Sequence, residues 1–389
     1  MSDRFLNDFI ELVRSIYRTN EKIPLHEPHF GTIEKKLLNQ VIDSTFVSSA
    51  GPFVEQFEQK FCEYTGAKYA VAVVNGTAAL HIALILSGVQ PGNEVITQPL
   101  TFVATCNAIK YCRANPVFVD VDRSSLGLSA EKLEEFLNEH AEVRNEGVCF
   151  NKSTGNVIRA CLPVHTFGHP VDLEPIQALC RKYEIILIED AAESLGSYYL
   201  DQHTGTYGKF GTFSFNGNKI ITTGGGGIIT TEDYALAQQA KHLTTTARVP
   251  HRWDYSHDAI GYNYRMPNLN AALGYAQFDK LTDFLNSKRK IAEQYKDFFQ
   301  PTNILFVSER RDVRSNYWLN AIITPNIKMK NDFLLTTNNS GIETRPAWKL
   351  MNELPMFTDC QKGDLKNSTW LADRVVNIPS SALPFLDTN

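Results

Sequence analysis

Cysteine is sparse and unclustered. The seven residues Cys62, Cys106, Cys112, Cys149, Cys161, Cys180 and Cys360 are odd in number and contain no CxxC pair. Neither a disulfide framework nor a metal site is built on such spacing, and the pattern is that of a reduced, cytoplasmic protein. Long apolar runs are missing too. None approaches the roughly 18 residues that span a bilayer, and the first twenty residues lack the unbroken apolar stretch of a signal peptide. A surplus of basic charge is also lacking: 43 acidic residues stand against 38 Lys and Arg, for a formal net charge of -5. That balance argues against nucleic acid or an anionic membrane as a partner, so any grip on an anionic ligand has to be local. No internal repeat or low-complexity segment interrupts the chain.

What is present fits a large globular protein. The chain has 389 residues, 43% hydrophobic and 21% charged, enough to bury a sizeable core and to make two domains. The first twenty residues place Phe5, Leu6, Phe9, Ile10, Leu12, Val13, Ile16 and Tyr17 at helical spacing, which predicts an amphipathic helix. From about residue 55 to 240, short apolar runs alternate with helix-like patterns. This alternation predicts a mostly parallel α/β sheet flanked by helices, with ligands gathered at the C-terminal ends of the strands. Asn75, Phe102, His165 and Asp190 fall at such ends. From about residue 271 the pattern changes to a long helix through Leu281, Phe284 and Tyr295, then to separated strands near residues 304–307 and 318–324. We expect an N-terminal helix and arm over 1–25, a large domain over 26–255 and a smaller α+β C-terminal domain over 256–389.

The chemistry concentrates in a few runs. Lys219 ends Ser214-Phe215-Asn216-Gly217-Asn218-Lys219 and is followed by Gly224 to Gly227, while Asp190 closes the apolar run that starts at Ile185. A lysine amine can link to the aldehyde of pyridoxal phosphate, and a buried carboxylate can keep its pyridine nitrogen protonated. Standing alone, such a lysine reads as a solvated loop residue. Ala70 to Val74 reads as a buried strand that breaks at Asn75-Gly76-Thr77 before a helical run from Ala78. Unpaired N–H groups of a first helical turn and the Thr77 hydroxyl suit a phosphate. Phe102, after the strand end at Thr97, can lie flat on a planar ring or serve as core. His165 and His169 flank Gly168 with Pro163 and Pro170 nearby, so a shared helical face for a metal is ruled out. The stretch 244–259, rich in Thr, Arg, His and Asp, reads as a loop at the active site or simply on the surface.

The order NGTAALHIAL, PGNEVITQPLTFVAT, PVFVDVD, IEDAAES, FSFNGNK, GYNYRMPN resembles the DegT/StrS group of nucleotide-sugar aminotransferases from about residue 23 to 379. The resemblance implies the type I fold of pyridoxal phosphate enzymes. It also implies that Lys219 carries the cofactor and shuttles protons, and that Asp190 pairs with the ring nitrogen. Gly76, Thr77, Ala78 (through its N–H) and Ser214 would bind the phosphate, Phe102 would stack on the ring, and Asn263 would reach the phosphate of a neighbouring subunit in a homodimer. Glu193 would sit beside the ring and the incoming sugar. Family members that aminate C3 tend to carry glutamine there, so glutamate beside an intact lysine favours C4. His165, Arg248, His251 and Arg345 are candidate sugar-nucleotide contacts, with Arg252 and Trp348 near them.

The expected reaction passes through the pyridoxamine 5′-phosphate form and moves an amino group from L-glutamate to C4 of a nucleotide-linked 4-keto-6-deoxy sugar for bacterial surface glycans. The run from Thr244 to His251 and the N-terminal helix look most like enzymes acting on a UDP-linked 4-keto-6-deoxy-N-acetylhexosamine. The alternatives are GDP-4-keto-6-deoxymannose, amination at C3, and a silent regulator that binds an amino sugar.

Overall fold

The computed structural model describes residues 3–144 and 147–383. Seven strands make the central sheet: β1 (Tyr69–Val73), β2 (Glu94–Thr97), β3 (Asn115–Phe118), β4 (Ile158–Leu162), β5 (Ile186–Asp190), β6 (Phe210–Ser214) and β7 (Gly227–Thr231). Their order is β1-β7-β6-β5-β4-β2-β3. Only β7 runs against its neighbours; the β6-β5, β5-β4, β4-β2 and β2-β3 pairs are parallel. Strand β2 is buried throughout and β1 from Ala70 onward, as expected of a sheet covered on both faces. Pro116 is tolerated because β3 is an edge, where one row of N–H groups needs no partner.

Packing fixes the strand ends that carry the chemistry. Helix Gly76–Leu86 lays Leu80, Ala83 and Leu84, all buried, against Val71, Val73 and Ile229. Beneath the β6 end, Phe61 meets Phe213 with ring centroids 4.8 Å apart, and Phe57 meets Phe215 at 5.1 Å, both edge-on. Side chains alternate along a strand, so the two buried phenylalanines that flank Ser214 turn its hydroxyl to the other face. Such aromatic pairs contribute about 1 kcal/mol each beyond their buried area.

A second sheet of four short antiparallel strands, Leu305–Phe306, Asn320–Ile323, Val375–Ile378 and Arg345–Pro346, packs with helices Leu281–Phe299 and Ile327–Asn339. Helix Asp3–Tyr17 joins this C-terminal unit: Phe9 lies 4.8 Å from Phe333 and 5.6 Å from Phe299. Ile23 bridges to Ile342. The single long helix expected after residue 271 is instead two, Asn268–Phe278 and Leu281–Phe299. The first packs on Pro52–Thr65 of the large unit, with Phe278 against Phe57 and Phe61. The second begins the small unit. The two helices part at Asp279-Lys280, where Lys280 Nζ is held by both Glu34 oxygens at 2.7 and 2.9 Å.

Candidate active site

One end of the site is built by close backbone packing. Asn75 caps helix Gly76–Leu86, its Oδ1 accepting from the Ala78 N–H at 2.8 Å. The Ala78 N–H expected to face a phosphate is thus already satisfied, and the first-turn N–H groups of Gly76 and Thr77 are those that no helix carbonyl reaches. A Cβ on Gly76 would lie 2.9 Å from Ser214 Cβ, and one on Gly227 would lie 2.5 Å from the Asn75 carbonyl oxygen. Two glycines therefore let β6 and β7 press the Ser214 hydroxyl against the Thr77 turn. The resulting cradle of hydroxyls and outward N–H groups suits a phosphate.

The other end is a buried carboxylate. Asp190 closes β5, and its Oδ2 accepts from the Thr105 hydroxyl at 2.8 Å while the Ala192 N–H donates to Oδ1 at 3.2 Å. Burial pushes its carboxyl above the usual range, and Thr105, Ala192 and Lys219 pull it back. Thr105 sits on helix Val103–Tyr111, of which Phe102 is the first flanking residue. Phe102 is 53% exposed and 6.3 Å from the Trp348 ring, so its face is open to a ligand.

Between these ends stands Lys219. Its N–H donates to the Asn216 carbonyl at 3.0 Å, closing the turn after β6. Its Nζ lies 3.6 Å from Glu193 Oε1 and 3.9 Å from the Trp318 ring centroid. Burial lowers the basicity of this amine, opposed by Glu193 and Asp190. Burial likewise raises the Glu193 carboxyl to about 7, against the pull of Lys219 and of the Phe167 N–H, which donates to Oε2 at 2.8 Å. Both groups are driven toward their neutral forms.

A cavity of about 430 Å³ joins Thr77, Phe102, Asp190, Glu193, Ser214, Lys219 and Trp348, within the roughly 300–1,000 Å³ usual for small-molecule sites. A larger open groove of about 520 Å³ runs beside Lys362, Trp370 and Arg374, but it holds no buried nucleophile or acid. The lining of the smaller cavity fits pyridoxal phosphate. A donor cradle that a Cβ on Gly76 would fill, a buried carboxylate and a desolvated amine face one space.

Other expected residues are elsewhere. His165 is fully buried, its Nε2 3.1 Å from Glu189 Oε2 and its Nδ1 accepting from the Val171 N–H at 3.3 Å. It packs, and does not face the cavity. Arg345 is exposed and paired with Glu343. Arg248 stacks on Tyr255 at 4.0 Å, and His251 Nδ1 accepts from the Asp254 N–H at 2.9 Å. These loop residues and the exposed Asn263 stay outside the cavity of their own chain. Thr105 and Trp318 escaped sequence reading. Thr105 stands in a helical run with no spacing that links it to Asp190. Trp318 reads as the start of an apolar strand.

Comparison with known proteins agrees with this geometry. The sequence model described as the DegT/DnrJ/EryC1/StrS aminotransferase family matches residues 29–383. The chain is 38% identical over 359 residues to a GDP-perosamine synthase of Escherichia coli O157:H7, covering 92% of this chain and 93% of that protein. It is 35% identical to a GDP-perosamine synthase of Vibrio cholerae, covering 92% and 94%. A DegT DnrJ EryC1 StrS aminotransferase from Brucella abortus superposes with a TM-score of 0.81 at 26% identity, covering 91% of each chain. The chain belongs to the DegT/DnrJ/EryC1/StrS aminotransferase family and is a pyridoxal phosphate-dependent nucleotide-sugar aminotransferase.

Proposed function

We propose that the enzyme moves the amino group of L-glutamate to C4 of a nucleoside-diphosphate-linked 4-keto-6-deoxyhexose, with GDP-4-keto-6-deoxymannose as the substrate. The observation that carries this reading is the similarity to GDP-perosamine synthases across 92% of the chain. It moves the GDP-linked sugar ahead of the UDP-linked hexosamine expected from sequence. The UDP-linked 4-keto-6-deoxy-N-acetylhexosamine, expected from the resemblance of the N-terminal helix and the 244–251 run, is the second reading.

Each residue has a definable task. Pyridoxal phosphate, when bound, supplies an aldehyde that exchanges amines and a ring that draws electrons from the reacting carbon. Thr77, Ser214 and the first-turn N–H groups would hold its phosphate, and Asp190 would hold a proton on its ring nitrogen. Phe102 would cover one ring face. The desolvated Lys219 amine, once unlinked, accepts a proton at Nζ and returns it, which needs an amine that is neutral near pH 7. Glu193, poised near 7 beside Nζ, can hold that proton in turn. Trp318 and Trp348 limit water at this wall.

We further infer a homodimer with shared sites. The loop that carries Arg248 and His251 exposes Trp253, Tyr255 and Ile260, apolar surface suited to a second copy. Asn263 and these basic residues would then serve the partner's site. Product analysis with GDP-, UDP- and dTDP-linked 4-keto-6-deoxy sugars tests the substrate. Turnover of the GDP sugar with the new amine at C4 is expected, turnover of only the UDP-linked N-acetylhexosamine would replace it by the second reading, and an amine at C3 would sink both.

A further inference from the structure

Trp318, at the cavity wall beside Lys219, is held from several sides. It is buried, and all three of its polar groups are engaged. Its N–H donates to Asn316 Oδ1 at 2.8 Å, its indole Nε1–H donates to the Asn218 carbonyl at 2.6 Å, and its carbonyl accepts from Lys288 Nζ at 3.2 Å. Asn316 is itself tied down, donating to the Glu193 and Leu195 carbonyls at 2.9 Å each. One set of bonds therefore connects the small unit, the Glu193 loop and the residue just before Lys219.

The ring so fixed presents its face to the amine. Lys219 Nζ, 3.9 Å from the ring centroid, has Glu193 Oε1 at 3.6 Å as its nearest charged neighbour. The other charged or titratable groups around it are few. Asp190 acts on it through its field, His26 on the N-terminal arm feels its charge, and Lys288 Nζ donates to the Trp318 carbonyl. An ammonium over an indole face is favoured by about 0.5–2 kcal/mol, more when water is kept away.

We propose that Trp318 is a positioning residue for Lys219: its indole face and the Glu193 carboxyl form the seat in which the amine rests whenever it carries no covalent partner. This rests on Lys219 being the lysine that links the cofactor. The use of such a seat follows from the reaction. A lysine released at each half of a transamination has to stay within reach of the reacting carbon and then recapture the aldehyde. A four-carbon stem with free rotamers would otherwise sample many positions. The seat confines it, and the Asn218 bond confines the turn from which it projects.

The test uses cofactor-free full-length protein, with covalent capture of pyridoxal phosphate followed by visible absorbance as a function of pH. Trp318→Leu keeps an apolar filling but removes the ring face. We expect its plateau capture rate to fall about tenfold, and the pH midpoint of capture to move down by about half a unit to one unit as the charged amine loses its partner. Glu193→Gln should also lower the midpoint, because it removes the adjacent negative charge. Trp318→Phe retains a face and should stay close to wild type in midpoint. Binding of pyridoxamine phosphate, which cannot link to lysine, is measured by dialysis and should change less than about twofold, about 0.4 kcal/mol, in the two Trp318 variants. A Trp318→Leu protein with wild-type plateau and midpoint overturns the proposal, as does Trp318→Phe behaving like Trp318→Leu. If Trp318→Leu does not fold, the Phe and Gln variants decide: an unmoved midpoint in Glu193→Gln refutes the seat. Lys219→Ala separates the two assignments, since a visible band unchanged in that variant would remove Lys219 as the linking lysine whatever Trp318 does.

Discussion

At the scale of single residues, two buried carboxyl groups have charge states set by what surrounds them. Asp190 is buried yet receives two hydrogen bonds, from Thr105 and Ala192, which orient its carboxylate rather than neutralise it. Asp190→Asn keeps the shape and one acceptor oxygen but cannot hold a proton on a ring nitrogen. Turnover should fall by orders of magnitude with the fold intact by circular dichroism. A loss under about tenfold, about 1.4 kcal/mol of barrier, would make Asp190 structural. Glu193 gives a different signature. Its carboxyl is raised from 4.5 to about 7, so between those pH values the folded protein holds a proton that the unfolded chain has released. Stability of the cofactor-free protein is therefore highest on this account below pH 4.5 and is lost as pH rises toward 7, by up to about 3 kcal/mol. Glu193→Gln removes that slope, and denaturant titrations of both proteins at pH 5 and pH 8 measure it. Equal pH dependence in the two would show that Glu193 is not raised.

The elements explain why some of this was legible and some was not. Strand β1, the Asn75-Gly76-Thr77 break and the helix after it form one local signal, because apolar runs and turn residues adjacent in sequence are adjacent in space. The same locality made Lys219 and Ser214 readable. Thr105 and Trp318 were not, since what matters about them is a contact with Asp190 or Lys219 across 85 and 99 positions of the chain. Ala78 shows a subtler limit. The residue was placed correctly at the helix start, but the Asn75 cap takes its N–H. That cap offers an element-scale test. Asn75→Ala should cost about 1 kcal/mol of stability and weaken cofactor retention by loosening the turn that carries Thr77. Dialysis of the cofactor from the variant, compared with wild type, reads the second effect, and unchanged retention would detach the turn from phosphate binding.

For the whole molecule, the sheet order, the single reversed strand and the family match describe one enzyme architecture. The alternating pattern foresaw a mostly parallel α/β sheet flanked by helices, as observed. It could not foresee that the N-terminal helix would pack on the C-terminal unit, or that the expected long helix would break at Asp279-Lys280 to serve both. Both outcomes come from pairings distant in sequence. Nor does the face a helix presents reveal its partner. The loop of residues 244–263 points to assembly as the remaining whole-molecule question. If Asn263 serves a partner's site, mixing Lys219→Ala with Asn263→Ala subunits should restore activity as exchange creates some fully equipped sites. No recovery after verified subunit exchange would put Asn263 outside the site.

The most direct measurement of the central claim follows the nitrogen itself. The purified enzyme, loaded with pyridoxal phosphate, is given nitrogen-labelled L-glutamate and GDP-4-keto-6-deoxymannose, and the sugar product is located by mass and NMR. The account predicts label on C4, one 2-oxoglutarate formed for each amino sugar, and neither product from Lys219→Ala. Unlabelled product, label at C3, or undiminished transfer by Lys219→Ala would contradict it.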